Sequence, residues 1–288
     1  MSIPKNHHYI SQIHIKNFFN NGDGGIYLYD KDQNNLFKSK GTRNIFSERN
    51  LNTRRISEND IDYISIENEL SNIFEKDFNK HLATVRSFCN SLKYSEEVEA
   101  ALLYFARYGV IGEFRTPHYK RKLDDSMFNG LKDILEHAVD DLKEEFFKEF
   151  NFDNEVKYTN TINYEELSNN IIEAMGEMSF ILSIPTNKED YFLLGDFCAV
   201  TIYDKINEDF NPHVKEIAYI GFPLCSSIYL ELFSNKWNKS PQTSIIRRLG
   251  SNHVFSRNKA NFMRSRKMVA CEDADYLKCF IQQVRKDL

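Results

Sequence analysis

The stretch VEAALLYFARYGVIG at residues 98–112 presents apolar side chains on nearly every side of a helix. Because such a helix has no face suited to water, it has to be enclosed by other parts of the chain. The 288 residues are 41% hydrophobic and 14% aromatic, which is enough to fill a sizeable core around it. The sequence therefore predicts that this helix lies in the interior of a large folded domain.

Apolar residues with helical spacing continue on both sides of this stretch. Ser95 precedes it as a good N-cap, and Pro117 follows it at a position where a new helix can begin. The predicted helical middle, residues 60–176, contains helices from about residue 60 to Leu92, from Ser95, from Pro117 towards Phe150, and over residues 163–176.

Strand patterns flank the helical middle. Before it come HYISQIHI, GGIYLYDKD and LFKSKG, and after it come SFILSIP, YFLLGDFCAVTIYD and IAYIGFPLCSSIYLELF. A last helix is predicted over residues 273–285. This arrangement predicts an α+β fold, a single domain of residues 1–288, with a mixed or antiparallel sheet from the N- and C-terminal segments and the helices packed on it. The simplest plan is one sheet, and the alternative is that residues 60–176 form a helical subdomain.

The composition predicts a cytoplasmic protein that makes no contact with a membrane. The N-terminal MSIPKNHH lacks the apolar segment of a signal peptide, and no run approaches the ~18 apolar residues of a transmembrane helix. The five cysteines are scattered without a C-x-x-C pair, which is typical of reduced, buried thiols and not of a zinc site.

Charge is distributed unevenly, although the net charge is only −5. Residues 121–155 carry eleven acids and five bases, whereas residues 247–270 carry seven bases and no acid. The acidic segment could dock a basic protein partner. The basic segment, which also contains His253, Phe255 and Phe262, either neutralises the acidic helix or binds nucleic acid. The candidate nucleic-acid-binding residues are Arg247, Arg248, Arg257, Lys259, Arg264, Arg266 and Lys267.

Three further residues are candidates for a functional site. Glu67 lies on the apolar face of the first predicted helix, where a carboxylate is costly unless it is paired, so Arg107 or Arg115 is its expected structural partner. Arg115 precedes Thr-Pro at the end of the central helix, where a guanidinium can grip a carboxylate or a phosphate. Asp196 interrupts two apolar strand segments beside Gly195, which predicts either a bulge that aims it into a site or an exposed turn.

The sequence contains no P-loop, dinucleotide-binding glycine motif, H-E-x-x-H or G-x-S-x-G motif. Its short segments instead resemble, in chain order, the bacterial family catalogued as domain of unknown function 4238. The segments that carry the resemblance are His8-Tyr9, GIYLYDKD, Glu67, Arg115-Thr-Pro, Asp196 and NFMRSRKMVA. The chain has Ser11-Gln12 where the family has Pro-Arg, and Gly195-Asp196-Phe197-Cys198 where the family has Ser-Asp-x-Pro. The occurrence of this family in bacteria and mobile elements implies a role in phage defence or related conflict.

Two functions are consistent with these residues. In the first, the protein is a metal-dependent hydrolase of nucleic acid, and Glu67 and Asp196 bind Mg²⁺ or Mn²⁺. His8 would then act as the general base or a third ligand, and Arg115 would hold a phosphate oxygen. In the second, the protein is a non-catalytic binding or sensor component of a multi-protein defence system, and these polar groups form a buried network. The first function requires all four side chains to converge in one pocket.

Overall fold

A computed structural model describes residues 6–57, 60–135, 156–204, 216–236 and 245–287. Its elements form the predicted α+β fold. The helices are α1 (Gln12–Lys16), α2 (Ser65–Glu69), a π-helical turn (Leu70–Glu75), α3 (Phe78–Ser91), α4 (Glu96–Phe114), α5 (Pro117–Leu135), α6 (Tyr164–Met175), α7 (Ser251–Arg264) and α8 (Ala274–Asp287). The strands are β1 (Asn6–His8), β2 (Ile26–Asp30), β3 (Asn35–Ser39), β4 (Ser47–Arg49), β5 (Arg54–Ser57), β6 (Asp60–Asp62), β7 (Met178–Pro185), β8 (Leu194–Gly195), β9 (Val200–Asp204), β10 (Glu216–Cys225), β11 (Ile228–Ser234), β12 (Ile245–Leu249) and β13 (Met268–Cys271).

The described strands form two larger sheets and two short pairs. In the five-stranded sheet the order is β12-β7-β11-β10-β9, and all pairs are antiparallel except the parallel pair β12–β7. In the four-stranded sheet the order is β3-β2-β13-β8, and all pairs are antiparallel. The short antiparallel pairs are β1–β4 and β5–β6.

The prediction of one sheet is wrong, although the four-stranded sheet does join both ends of the chain. Its strand β13 pairs with β2, so that Val269 lies opposite Tyr29. The five-stranded sheet uses only strands from Met178 to Leu249. Its strands β10 and β11 follow each other directly and pair as a hairpin, because a short connection favours antiparallel pairing of neighbours.

The central helix α4 is enclosed, as predicted. Its buried residues are Val98, Ala101, Leu102, Phe105, Ala106, Tyr108, Gly109, Val110, Ile111, Gly112 and Phe114. The helix packs on the five-stranded sheet, where a Cβ added at Gly109 would lie 2.5 Å from the Phe222 ring. One added at Gly112 would lie 3.0 Å from the Cβ of Cys198. Gly109 therefore allows the helix to approach the sheet closely, and Gly112 allows it to approach the segment that precedes β9.

The strand predicted over residues 8–15 is wrong, because β1 ends at His8 and α1 begins at Gln12. Ser11 is the N-cap of α1, and its hydroxyl accepts a hydrogen bond from the backbone N–H of His14 at 3.1 Å. A serine cap of this kind favours a helical turn over a strand. Ile15 is still buried, so its apolar character is satisfied by the helix instead.

The helix predicted from residue 60 to Leu92 is interrupted. The chain first forms β6 and then passes through α2, the π-helical turn and α3, which ends where Leu92 adopts a left-handed φ of 59°. Because a π-helical turn adds a residue to one turn, it changes the direction of the side chains that follow it. The third helix begins at Pro117 as predicted, but its predicted course beyond Leu135 and most of the acidic segment lie outside the described residues.

The two remaining predicted helices are confirmed as α6 and α8. The largest hydrophobic core contains residues from the N-terminal segment, the helical middle and the C-terminal strands, for example Ile15, Phe105 and Leu230. The N-terminal segment and the later strands are therefore packed around the central helix. Among the helices described, none combines the length and the apolar character needed to cross a bilayer.

Gly109→Ala should lower the free energy of unfolding by about 1–3 kcal/mol, because the new methyl group would overlap the Phe222 ring. The matched control is Gly130→Ala in α5, where no atom lies within 4 Å of an added Cβ. The control should be neutral or stabilise the protein by roughly 0.5–1 kcal/mol, because alanine is the better helix former. Urea denaturation measures both effects, and equal effects would contradict this account of the helix–sheet contact.

Candidate functional site

Arg115 lies at the end of α4 and is only 3% exposed. Its Nη2 donates to Oε1 of Glu75 at 2.6 Å and to the backbone carbonyl of His8 at 3.2 Å. The guanidinium therefore connects the central helix, the π-helical turn and the end of β1. A buried charge of this kind needs such a partner, since leaving it unpaired would be strongly destabilising.

The expected ion pair of Glu67 with Arg107 or Arg115 is wrong. Arg115 pairs with Glu75, and Arg107 lies 3.9 Å from Glu165. The π-helical turn explains the change of partner. It lies between Glu67 and the end of the turn at Glu75, so it changes the direction of the Glu75 side chain relative to that of Glu67. A continuous helix, which the sequence predicts here, would have placed Glu67 on the buried face and Glu75 at its edge.

Glu67 instead belongs to a polar centre formed by His7, Asn52, Glu67, Lys120 and Asn160. The Asn52 side-chain N–H donates to Oε1 of Glu67, and the Asn52 backbone N–H donates to Nδ1 of His7 at 2.9 Å. Lys120 donates to Oδ1 of Asn52 at 2.6 Å, to the carbonyl of Leu51 at 3.3 Å and to Oδ1 of Asn160. The ammonium thus has three acceptors, which matches its three N–H groups.

Lys120 is 3% exposed, and this burial has an electrostatic consequence. Burial lowers the pKa of Lys120 to about 7, although the charge of Glu67 opposes the shift. Removing water disfavours the charged form of an amine, which is the physical cause of the change. The polar centre therefore holds an amine that is close to the boundary between its charged and neutral forms at neutral pH.

His8 lies at the same end of β1 and is 9% exposed. Its Nε2 donates to the carbonyl of Thr42 at 3.0 Å, which leaves Nδ1 as the basic nitrogen. Burial lowers the pKa of His8, while the Thr42 carbonyl and the charges of Glu67 and Glu75 oppose that shift. His8, Glu67 and Arg115 are thus brought into one region of the structure.

Asp196 has a separate set of contacts in the loop that follows α7. Its Oδ1 accepts from the backbone N–H of Arg266 at 2.8 Å, and its Oδ2 accepts from those of Lys267 at 2.6 Å and Met268 at 2.9 Å. Asp196 is only 6% exposed, so the alternative of an exposed turn is wrong. Gly195 beside it allows a close approach, because an added Cβ would lie 2.2 Å from Oγ of Ser265. Burial raises the pKa of Asp196, and the three amide bonds oppose that shift.

A cation held jointly by Glu67 and Asp196 does not fit this donor set. Amide hydrogens already face both oxygens of Asp196, and an amide hydrogen of Asn52 faces Oε1 of Glu67. Mg²⁺ and Mn²⁺ need oxygen ligands whose lone pairs point at the ion. Within the five described ranges, no cluster of three or more His, Cys, Asp or Glu side chains could hold a metal ion.

The predicted nucleic-acid-binding residues occupy different environments. Arg257 lies in an internal ion pair, with Nη2 at 2.7 Å and 2.8 Å from the two carboxylate oxygens of Glu231. Its charge neutralises a carboxylate that is only 4% exposed, so its role is structural. Lys259 and Arg247 are both half-buried. The exposed residues of the set are Arg248, Arg264, Arg266 and Lys267.

A second basic segment, His118-Tyr-Lys-Arg-Lys, meets the end of the first. Nη2 of Arg266 donates to Nε2 of His118 at 2.8 Å. Partial burial and the charges of Arg266, Lys122 and Arg121 lower the pKa of His118, so the neutral imidazole can accept that bond. The exposed residues of this basic surface are His118, Arg121, Lys122, Arg264, Arg266 and Lys267.

A family model matches nearly the whole chain. The model of the family described as Protein of unknown function (DUF4238) matches residues 6–275. The chain belongs to this family. The resemblance noted from the short motifs is thereby confirmed. Neither the comparison with curated proteins nor the comparison with solved structures found a match.

The DUF4238 match includes the polar centre and the basic surface, neither of which was predicted as a unit. The basic run at residues 118–122 is visible in the sequence, but its last two bases fall within the acidic segment, residues 121–155, which hides it. Lys120 lies within that run and looks like a solvated base, because two further bases follow it directly. The fold buries Lys120 and exposes Lys122, and only this difference separates their roles.

Lys120 in this DUF4238 protein gives a testable pH dependence. Its pKa is about 7 in the fold and 10.5 in the ordinary case, so between these values the unfolded chain binds more protons. The free energy of unfolding of the wild type should therefore rise with pH relative to that of Lys120→Met. Between about pH 7 and about pH 9 the free energy of unfolding of the wild type, minus that of Lys120→Met, should increase by about 2 kcal/mol.

Urea denaturation at the two pH values measures this difference. Lys122→Met removes an exposed lysine from the same helix and is the matched control. If the difference between wild type and Lys120→Met stayed constant with pH, the buried environment of the amine would be contradicted.

Proposed function

We propose that this DUF4238 protein binds double-stranded nucleic acid through the phosphate backbone and does not cleave it. The contact between His118 and Arg266 carries the proposal, because it joins two basic segments that are 148 residues apart in the chain. The resulting surface is locally positive although the chain as a whole has a net charge of −5. Clustered bases attract phosphates by releasing the counterions of the nucleic acid.

The basic surface is held in a fixed position from below. Asp196 binds the backbone N–H groups of Arg266, Lys267 and Met268, and the side chains of Arg266 and Lys267 are exposed. Lys31 donates to the carbonyls of Phe262 and Ser265 at 2.9 Å and 2.6 Å and so caps the end of α7. A rigid support lowers the entropic cost of binding, which favours a role in recognition.

The aromatic residues of the basic segment favour backbone contact over base stacking. Phe262 is 6% exposed in a core cluster, and the Phe255 ring lies 5.3 Å from the Phe280 ring. The Phe262 ring is buried and the Phe255 ring is partly buried, so neither is a fully exposed platform for unpaired bases of the kind with which proteins usually bind single strands. Charged side chains without such a platform suit the regular phosphates of a duplex.

The contacts of the carboxylates favour binding over hydrolysis. Glu67 and Asp196 are already used by Asn52 and by three backbone amides, so metal-assisted attack has no support from their geometry. This agrees with the alternative in which the polar groups hold segments of the chain together. A role in phage defence and a cytoplasmic location stay predictions.

Replacing the bases of the surface should weaken binding to a short fluorescent duplex. The triple variant Arg121→Gln, Arg266→Gln, Lys267→Gln should bind at least about 10-fold more weakly at moderate salt, and its log Kd should depend less steeply on log salt by about 2–3. Fluorescence anisotropy over a salt series measures both quantities. The matched control is the triple variant Lys76→Gln, Lys80→Gln, Arg86→Gln, which removes the same charge from exposed positions near or on α3.

Equal binding by the two triple variants would contradict the proposed surface. Incubating the duplex with wild-type protein and Mg²⁺ or Mn²⁺ tests the absence of cleavage. Cleavage that is lost in Glu67→Gln would instead support the metal-dependent hydrolase.

A further inference from the structure

A pocket of about 340 Å³ lies beside the β1–β4 pair, and none of its lining residues belongs to the basic surface. Among the described residues, Asn6, Arg43, Asn44 and Arg49 line it. Asn6 and Arg49 lie directly opposite each other in the two strands. The lining residues thus bring two arginines and two asparagines to one pocket that is open to solvent.

The two guanidinium groups are not neutralised by the acid next to them in the chain. Glu48 precedes Arg49 in β4, and successive side chains of a strand point to opposite faces. The Glu48 carboxylate accepts from Nζ of Lys157 at 3.1 Å and from the hydroxyl of Tyr158 at 3.2 Å. In the part of the chain that the structure describes, neither Arg43 nor Arg49 has a carboxylate partner, so both charges are available to a ligand.

Hydrogen bonds fix the wall of the pocket. The side-chain amide of Asn6 donates to the carbonyl of Arg43 at 2.6 Å and to Oγ of Ser47 at 3.1 Å. The Ser47 hydroxyl also donates to the Arg43 carbonyl, at 3.2 Å. Because both N–H groups of the Asn6 amide are used in this way, its Oδ1 is left to accept a hydrogen bond from a ligand.

The geometry points to a binding site for a small organic phosphate of the size of a nucleoside monophosphate. Two arginines match the charge of a phosphate monoester, which is close to −2 at neutral pH, and their planar forks suit its oxygens. The amides of Asn6 and Asn44 supply a donor and acceptors for hydroxyl or base groups. The volume lies near the lower end of the range of small-molecule sites, roughly 300–1,000 Å³, which suits a ligand of the size of a single nucleotide.

Isothermal titration calorimetry with adenosine monophosphate, adenosine and inorganic phosphate tests this site. Adenosine monophosphate should bind more tightly than either of the other two, because it alone uses both the arginines and the amides. Arg43→Gln and Arg49→Gln should each weaken its binding about 10- to 100-fold, the loss expected for one charge-assisted contact. Asn44→Asp should also weaken it, because a carboxylate would face the phosphate.

The controls separate this site from the basic surface. Arg86→Gln removes an exposed arginine from α3, and the triple variant at Arg121, Arg266 and Lys267 removes the duplex-binding bases. Both should bind adenosine monophosphate as the wild type does. Equal affinity for adenosine or for inorganic phosphate, or unchanged binding in both Arg43→Gln and Arg49→Gln, would overturn the inference while leaving the duplex proposal intact.

Discussion

The rest of the structure depends on the ion pair between the buried guanidinium of Arg115 and the carboxylate of Glu75. The central helix α4 is apolar and enclosed, so the charge at its end is removed from water together with it. Glu75 and the carbonyl of His8 compensate that charge and thereby tie the π-helical turn and β1 to the end of the helix. One desolvated charge thus fixes how three segments from different parts of the chain meet.

The other buried polar groups follow the same principle. Lys120 connects the segment at residues 51–52 with Asn160, and Asp196 holds the backbone that follows α7. The sequence alone makes Asp196 a candidate catalytic residue and Lys120 an ordinary surface charge. In the fold, both side chains form hydrogen bonds within the protein. The charges that we propose to bind a partner lie elsewhere, on the basic surface and in the pocket beside the β1–β4 pair. This division between internal and external charges favours a binding protein over a hydrolase.

Local patterns predicted much of the fold, because helical period, caps and the α+β order are properties of neighbouring residues. The enclosed helix α4, its N-cap Ser95 and the start of α5 at Pro117 are examples. The pairing of Arg115 with Glu75 could not be predicted, since it depends on one extra residue in a π-helical turn. The contact of His118 with Arg266 and the burial of Lys120 depend on tertiary packing, which no single-sequence period encodes.

A double-mutant cycle between Arg115 and Glu75 tests the structural role of Arg115 most directly. Unfolding free energies are measured for Arg115→Gln, Glu75→Gln and the double variant, and a parallel cycle replaces Glu75→Gln with Glu67→Gln. We expect a coupling of about 2 kcal/mol or more between Arg115 and Glu75 and a clearly smaller one between Arg115 and Glu67. Additive effects in the first cycle, or a larger coupling in the second, would contradict the account.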